Sequence, residues 1–323
     1  MALMVRRTQL AAKVEATKGT AETLAAGNAG ILAESIEYQV NTEELVRDPL
    51  RATISKFPSV PGAQTATVTC RVEIKGSGTV ATAPAFGTLL KGCGFAETLA
   101  TDGVTYNLKS ADADSDTLTL GVYRDGRIFK CSGARGTVTF EMTANQIAYA
   151  NFTFTGVHES VTEGALLGGV SYESTVPVAF NNVTATFTPD GGSAWSDSVF
   201  STFNLDLANT VTLRENANAS NGLSYAIITE RSPSGSIDFD DFVVSTEDPD
   251  DLFSYLETPT FGALSMTLGA TAGNIITFST GSASVQYTNI DTGDRDGVAT
   301  LQCDIGLRKT ADAGNDELVI AQT

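Results

Sequence analysis

The chain has 323 residues, of which 42% are hydrophobic and 18% are charged, and its formal net charge is −18. This composition is typical of a globular protein with one large or two ordinary domains, and it excludes an intrinsically disordered chain. The acidic balance argues against a nucleic-acid-binding domain, and apolar runs are too short for a helix that spans a bilayer. Because no secretion-type apolar segment follows Arg6 and Arg7, we expect a protein made and kept in a cytoplasm.

Alternation of apolar and polar residues dominates the first half of the chain. In Thr67–Ile74, for example, every second residue is apolar, which is typical of a strand with one buried face. The Asp125-Gly126 pair predicts a hairpin turn, and Pro84–Gly92 has the Pro and Gly boundaries of a short helix. The predicted strands of this half are Ser35–Val40, Thr67–Ile74, Thr117–Tyr123, Gly136–Met142 and Tyr149–Thr155.

The second half repeats this kind of pattern. Asp248–Glu257 predicts a second short helix, because it begins with an Asp cap and a Pro and has acidic residues in its first turn. The predicted strands are Val183–Thr188, Phe203–Thr212, Ser236–Val244, Asn274–Ser279, Ala283–Thr288 and Ala299–Leu307.

The order strand, polar loop, Pro/Gly turn, strand, helix, strands occurs in both halves. The sequence therefore predicts a mainly β protein with two tandem β-sandwich or barrel domains, each with a short flanking helix. We expect an N-terminal arm over 1–33, a first domain over 34–160 and a second over 161–323. Two unrelated β domains are the alternative. Charge differs between the halves, with a net of −1 over 1–160 and −17 over 161–323.

Signals for catalysis or cofactor binding are scarce. His158 is the single histidine, so a Ser-His-Asp or Cys-His arrangement would have to use it, and no nucleophile elbow or phosphate-binding loop accompanies it. The four cysteines are not spaced as zinc ligands. The carboxylates between Asp238 and Asp251 could hold a metal, but alternation along a strand and a helix cap explain them more simply. We therefore expect neither an enzyme nor a cofactor.

Several phrases resemble one family. Gln9–Thr20 is similar to the opening of many phage tail tube proteins, with Lys13, Glu15, Thr17, Gly19 and Thr20 matching the phrase Lys-x-Glu-x-Thr-x-Gly-Thr. Similar stretches follow at Arg47–Arg51, Lys75–Thr79, Ala83–Phe95, Arg127–Phe140 and Phe152–Gly156. The resemblance covers residues 9–157, and the second half resembles the family only through the repeated order of elements.

This resemblance implies a structural protein of the virion tail. In the family, strands of neighbouring subunits join into an inner β-barrel, and six such domains form a ring. Two domains per chain would make the ring a trimer, with a hexamer as the alternative. Rings stack into a tube that DNA crosses without specific binding. The implied partners are further copies of the chain, the tape measure protein in the lumen, and the tail terminator and distal tail proteins.

Two sets of residues follow as candidate sites. An acidic lumen avoids contacts with phosphate, and the dense acids of the second half make Asp238, Asp240 and Asp241 the candidate lumen residues. Family members contact the next ring through loops and the N-terminal arm. The corresponding candidates here are Lys13, Glu15, Glu43, Glu44, Arg47 and Arg51. Alternatives are the tube of a related contractile injection machine, and a virion-surface decoration or carbohydrate-binding β protein.

Overall fold

The computed structural model describes residues 3–189, 199–241, 252–257 and 261–323. As the sequence predicts, the protein is mainly β, with few and short helices. The elements of the first half are β1 Thr8–Val14, β2 Ala33–Leu45, β3 Val60–Glu73, α1 Gly87–Gly92, β4 Phe95–Ala100, β5 Gly103–Leu108, β6 Leu118–Arg124, β7 Gly126–Thr143 and β8 Tyr149–Gly164. Those that follow are β9 Thr184–Pro189, β10 Phe200–Asp206, β11 Asn209–Glu215, β12 Leu223–Arg231, β13 Ser234–Asp240, α2 Leu252–Glu257, β14 Phe261–Leu268, β15 Ile276–Ser279, β16 Val285–Arg295, β17 Val298–Leu307 and β18 Val319–Gln322.

Local turn chemistry explains two boundaries between strands. The predicted hairpin turn joins β6 to β7, where both Asp125 and Gly126 have positive φ, as a two-residue hairpin loop requires. The predicted strand Phe203–Thr212 is broken, because Ala208 has a φ of 47° and its N–H donates to the Asp206 side chain at 2.8 Å. The break separates β10 from β11.

Some elements differ from the sequence-based expectation. Residues 8–14 form β1, which pairs with β6 and buries Leu10, Ala11 and Ala12. β8 continues to Gly164, beyond the boundary predicted at 160. The last part of the strand predicted over Ser236–Val244 and the start of the helix predicted over Asp248–Glu257 lie outside the described residues.

Eight strands form one continuous antiparallel sheet that contains strands of both halves, in the order β2-β3-β8-β7-β10-β13-β17-β16. The halves meet where Thr139–Thr143 of β7 pair with Thr202–Asp206 of β10. The ladder continues across all eight strands, with register shifts in the β2–β3, β7–β8, β10–β13 and β16–β17 pairs. One row of directly opposed residues consists of Ser35, Arg71, Asn151, Thr139, Asp206, Ser234, Gly306 and Gln286.

The remaining strands contribute side chains that pack against the apolar face of this sheet. Phe278 of β15 meets Phe140 of β7 edge to face, with ring centroids 5.0 Å apart. Phe187 of β9 meets Phe239 of β13 in the same way at 5.1 Å. Strands from both halves also pair outside the eight-stranded sheet, because β18 lies between β15 and β5. A single large hydrophobic core therefore includes both halves.

The order of pairing is repeated along the chain. In the first half, β1 pairs with β6, β6 pairs with β7, and the sheet continues β7-β8-β3-β2. In the second half, β9 pairs with β14, β14 pairs with the start of β16, and the sheet continues β16-β17-β13-β10. α1 follows β3, and α2 follows β13.

Truncation of Phe140 tests whether the shared core couples the halves. Phe140→Ala should lower the free energy of unfolding by about 3–5 kcal/mol, since it removes a buried aromatic side chain and leaves a cavity. The far-ultraviolet circular dichroism of a urea titration should retain one transition at lower urea. Phe253→Ala, which removes an exposed ring, should change little. Two separate transitions in Phe140→Ala would contradict a shared core.

Candidate functional site: polar sheet face and open strand edges

The eight-stranded sheet has one apolar and one polar face, because its side chains alternate along every strand. In β3, Ala66, Val68, Cys70 and Val72 are buried in the core, while the residues between them are only partly covered. The same alternation in β13 buries Ile237 and Phe239. On the polar face, threonine is the commonest residue, at positions 65, 67, 69, 137, 139, 143, 153, 155, 202 and 300.

The charge of this polar face is mostly negative. Its cations include Arg71 and Arg295. Arg135 of β7 lies in the same ladder but is only 1% exposed, and Arg308, just beyond β17, donates to the Gln286 side chain at 3.1 Å. Arg71 pairs with Glu34 and Glu141 at 3.4 Å and lies over the Tyr149 ring. Its acids are Glu37, Glu73, Glu141, Asp206, Asp238, Asp240, Asp291 and Asp304.

Two of the three candidate lumen residues lie on the polar face. The Arg295 guanidinium on β16 pairs with Asp238 at 2.9 Å and also with Asp240. The Ser201 hydroxyl donates a second hydrogen bond to Asp238 at 2.5 Å. Asp241 follows the end of β13, is exposed, and donates its N–H to the Ala299 carbonyl. The dense acids of the second half were the signal that made Asp238 and Asp240 candidates, and the balancing arginine was not predicted. Glu247, Asp248, Asp250 and Asp251, the rest of the acidic cluster, lie outside the described residues.

The eight-stranded sheet ends in two open edges. In the described part of the chain, β2 pairs only with β3, and β16 pairs on its outer side with β14 only at Val285 and Gln286. Strand edges with free N–H and C=O groups can pair with another chain. Because eight strands alternate in direction, the two edges run antiparallel to each other, as β7 and β10 do.

Most of the candidate inter-ring residues lie at the end of β2 and in the loop after it. Glu43 and Glu44 are exposed near the end of β2. Arg47 and Arg51 are exposed in the loop of residues 46–59, and both guanidinium groups lie over the Phe57 ring, at 5.7 and 3.9 Å from its centre.

The two candidates near the N-terminus have partners inside the chain. Lys13 forms an ion pair with Glu22 at 2.7 Å. Glu15 is only 6% exposed. Its carboxylate accepts four hydrogen bonds of 2.6–2.9 Å, from the backbone N–H groups of Gly19 and Gly133 and the hydroxyls of Thr117 and Thr119. The Lys-x-Glu phrase thus places a buried hydrogen-bond acceptor at Glu15 rather than a side chain exposed to the next ring.

His158, the single histidine, contacts a tyrosine side chain. His158 Nδ1 lies 2.8 Å from the Tyr38 hydroxyl, and burial lowers the pKa of His158 despite the opposing charge of Glu159. Ser132, which lines the same cleft of about 470 Å³, donates its hydroxyl to Glu159 and not to His158. Within the described ranges, no group of three or more His, Cys, Asp or Glu side chains is placed to hold a metal ion.

The four cysteines are free and buried, as expected for small core residues. Burial raises the pKa of the Cys70, Cys131 and Cys303 thiols to about 12, so they stay protonated near neutral pH. In the described part of the chain, neither helix has the length and apolarity needed to cross a bilayer.

The fold, the polar face and the open edges define a structural β protein with surfaces suited to self-association. A family model described as phage tail tube protein matches residues 5–321 of the chain. The chain therefore belongs to the phage tail tube protein family, whose members are structural components of the virion tail. The match includes the second half, where the sequence phrases had supported the family only up to residue 157. A search of curated proteins gives no match.

The Glu15 carboxylate provides a test of the buried hydrogen bonds. Glu15→Ala would leave two backbone N–H groups and two hydroxyls without their acceptor, and it should lower the free energy of unfolding by about 2–4 kcal/mol. Urea denaturation of the variant measures this loss. Glu163→Ala, at an exposed position of β8, is the matched control and should stay within about 0.5 kcal/mol of the parent. Equal stability of the two variants would contradict the structural role.

Proposed function

We propose that three copies of this chain close into a ring whose joined sheets form the lumen of the tail tube, and that stacked rings conduct DNA during ejection. The observation that carries the proposal is the eight-stranded sheet, with one polar acidic face and two antiparallel open edges. A closed barrel removes open edges altogether. Joining β16 of one copy to β2 of the next would satisfy both edges in every copy.

The repeated order of pairing supports a chain of two tail-tube-like units, an N-terminal segment and the two domains expected over 34–160 and 161–323. Each unit would contribute four strands, β2-β3-β8-β7 from the first and β10-β13-β17-β16 from the second. Under this equivalence the β7–β10 junction inside the chain corresponds to the β16–β2 junction between chains. Six units per ring then need three chains, and the barrel has twenty-four strands.

Bulges in the strands align the two units residue by residue. Register shifts lie before Arg135 in the β7–β8 pair and before Asn289 in the β16–β17 pair. Taking these residues as equivalent makes Gln39 of β2 the counterpart of Asn204 of β10, by their ladder partners. In this alignment, the register shift after Thr42 in β2 falls at the same position as the break after Leu207. Neither feature was used to make the alignment.

This alignment gives the register of the proposed junction. Inside the chain, Asn204 lies opposite Glu141 of β7. The counterpart of Glu141 is Arg295, so Gln39 of one copy should lie opposite Arg295 of the next, and Asn41 opposite Gly293. Slippage by one residue would turn the polar residues of β2 toward the core, so the alternation of the strand favours a single register.

The size and charge of the barrel suit the passage of DNA. With strands about 4.8 Å apart and tilted by about 40°, twenty-four strands give a backbone diameter of roughly 45–50 Å. DNA carries one negative charge per about 1.7 Å of its axis, and proteins bind it by placing Lys and Arg on its phosphates. A lumen lined by threonines and acids, in which Arg71 and Arg295 are paired with carboxylates, offers few such contacts.

Stacking of the rings would use the ends of the barrel. Glu43 and Glu44, near the end of β2, are the proposed inter-ring contacts, with Lys13 as a further candidate, and Arg47 and Arg51 lie at the same end of the barrel in the loop that follows. The tape measure protein would occupy the lumen before DNA, and tail terminator and distal tail proteins would cap the two ends. Assembly would take place in the cytoplasm of the bacterial host.

A cysteine pair tests the proposed junction and counts the copies in the ring. In Gln39→Cys/Arg295→Cys, oxidation of the assembled protein should give covalent species up to a closed trimer, seen by mass spectrometry and denaturing electrophoresis. Directly opposed strand residues are close enough for such a link. The native thiols should not compete, because all four are buried.

The chain offers a matched control for this experiment. Glu141→Cys/Asn204→Cys places the same pair in the junction inside the chain, and it should give a monomeric cross-link. Either single variant should give no closed species. Species up to a hexamer would replace the trimer by a six-chain ring. If the control pair links and the test pair does not, although rings are visible by electron microscopy, the proposed junction is wrong.

Charge reversal tests the lumen. Replacing Asp238 and Asp240 by Lys should make assembled tubes retain short duplex DNA at low salt, with binding that weakens steeply as salt rises, because new cations would contact phosphate. Phage carrying the change should eject DNA less completely. Asp241→Lys, just beyond the strand end, should have a smaller effect of the same sign.

Two controls separate charge from folding. Asp238→Asn with Asp240→Asn removes the same ion pairs with Arg295 without adding cations, and Asp312→Lys adds a cation at an exposed loop position. Both variants should form tubes that do not retain DNA. Tubes of the Asp238→Lys/Asp240→Lys variant that neither bind DNA nor lose infectivity would exclude these residues from the lumen.

A further inference from the structure

The 46–59 loop and the strand ends beside it expose apolar side chains. Val46 is 74% exposed, and Leu50 and Ile54 are fully exposed; Leu45 and Val60 at the two strand ends are nearly half exposed. Neighbouring exposed apolar residues of this kind mark interaction sites in soluble proteins. The loop also carries Arg47, Arg51 and Lys56 against Asp48 alone, so it is basic in an acidic chain.

The second unit contains a corresponding hairpin, and there the hairpin is covered. The segments 33–73 and 200–240 span the same number of residues. The middle of the second segment forms the β11–β12 hairpin. Instead of extending the sheet, β11 and β12 lie against β7 and β8 of the first unit. Under this hairpin, Ser132 and Arg135 are each only 1% exposed.

Specific contacts fix the β11–β12 hairpin on the first unit. At its tip, the Asn221 side chain exchanges two hydrogen bonds of 2.8 Å with the backbone of Gln64. At its base, the Asn209 amide donates to the carbonyls of Cys93 and Gly136 at 2.8 and 2.9 Å. Between them, the Tyr225 hydroxyl donates to Asp112 at 3.0 Å. The second unit thus contacts the first through the β11–β12 hairpin as well as through the β7–β10 strand junction.

We infer that the 46–59 loop folds over the outer ends of β16 and β17 of the neighbouring copy in the same ring, as β11–β12 folds over β7 and β8. The inference rests on the proposed ring. The partner that covers the exposed apolar loop is a second copy of this chain, because the β11–β12 hairpin occupies the corresponding position on the neighbouring unit inside the chain.

The receiving surface follows from the alignment of the two units. The counterparts of the covered Arg135 and Ser132 are Asn289 and Gln286, and neither is buried. Thr288 and Ser234 beside them are exposed, and Asp304 lies opposite Asn289. At this surface Asp304 is the nearby acid, and Arg308 donates to the Gln286 side chain at 3.1 Å, so it is the net charge of −17 over 161–323 that complements the three cations of the loop at longer range.

Amide hydrogen exchange on the full chain tests the contact. Rings and stacked tubes are separated from monomers by size-exclusion chromatography, and exchange is compared by mass spectrometry. We expect peptides from 46–59 and from 286–289 and 304–308 to become protected together in single rings. Protection of the loop that appears only in stacked tubes would overturn the inference and assign the loop to the next ring. Rings without protection of either segment would overturn it too, with the ring itself intact.

A variant tests the apolar part of the contact. Leu50→Ser/Ile54→Ser changes fully exposed residues, so the circular dichroism of the monomer should stay as in the parent. The protein concentration at which rings form should rise at least about tenfold, because two apolar side chains would no longer be buried on assembly. Val176→Ser, at a position 75% exposed elsewhere, is the control. Equal assembly of the loop variant and the control would contradict the inference, whereas a parent chain that never forms rings would remove the proposed function as well.

Discussion

The structure depends on one strand junction, the antiparallel pairing of Thr139–Thr143 in β7 with Thr202–Asp206 in β10. Strand N–H and C=O groups need partners, and this junction provides them across the two halves of the chain. It also makes a single sheet of eight strands, so that the remaining open edges lie at β2 and β16 and run antiparallel to each other. An even number of alternating strands is the condition for joining copies by the same kind of junction.

The continuous ladder gives the sheet its two faces. A side-chain period of two sends every second residue to the core, and a shift of one residue in any strand would exchange the faces. Because the rows of opposed residues continue across both halves, the threonines and carboxylates of eight strands form one polar surface. Asp238 and Asp240 are on this surface for the same reason that Ile237 and Phe239 are in the core.

The sequence predicted those parts of the fold that local patterns determine. Alternation found β3, β7, β8, β13 and β17, and the Asp125-Gly126 pair found the β6–β7 turn. It did not find β1, because Leu10, Ala11 and Ala12 are buried in succession and show no alternation. The burial of Glu15 was missed because its four donors come from three separate segments. The pairing of β7 with β10 joins residues about sixty positions apart in the sequence. No local pattern predicts it.

The two units repeat the same order of strands but differ in their hairpins, and the difference has a physical reason. If the chain consists of two tail-tube-like units, as we propose, each unit has one neighbour inside the chain and one in another copy of the chain. The internal contact forms on folding, so the β11–β12 hairpin already lies on its partner, while the 46–59 loop is exposed. In the proposed ring, linking units in pairs would also halve the number of associations needed for closure, and each association costs translational and rotational freedom. In the proposed ring, the covered hairpin would serve as an internal model of the contact that we infer for the exposed loop.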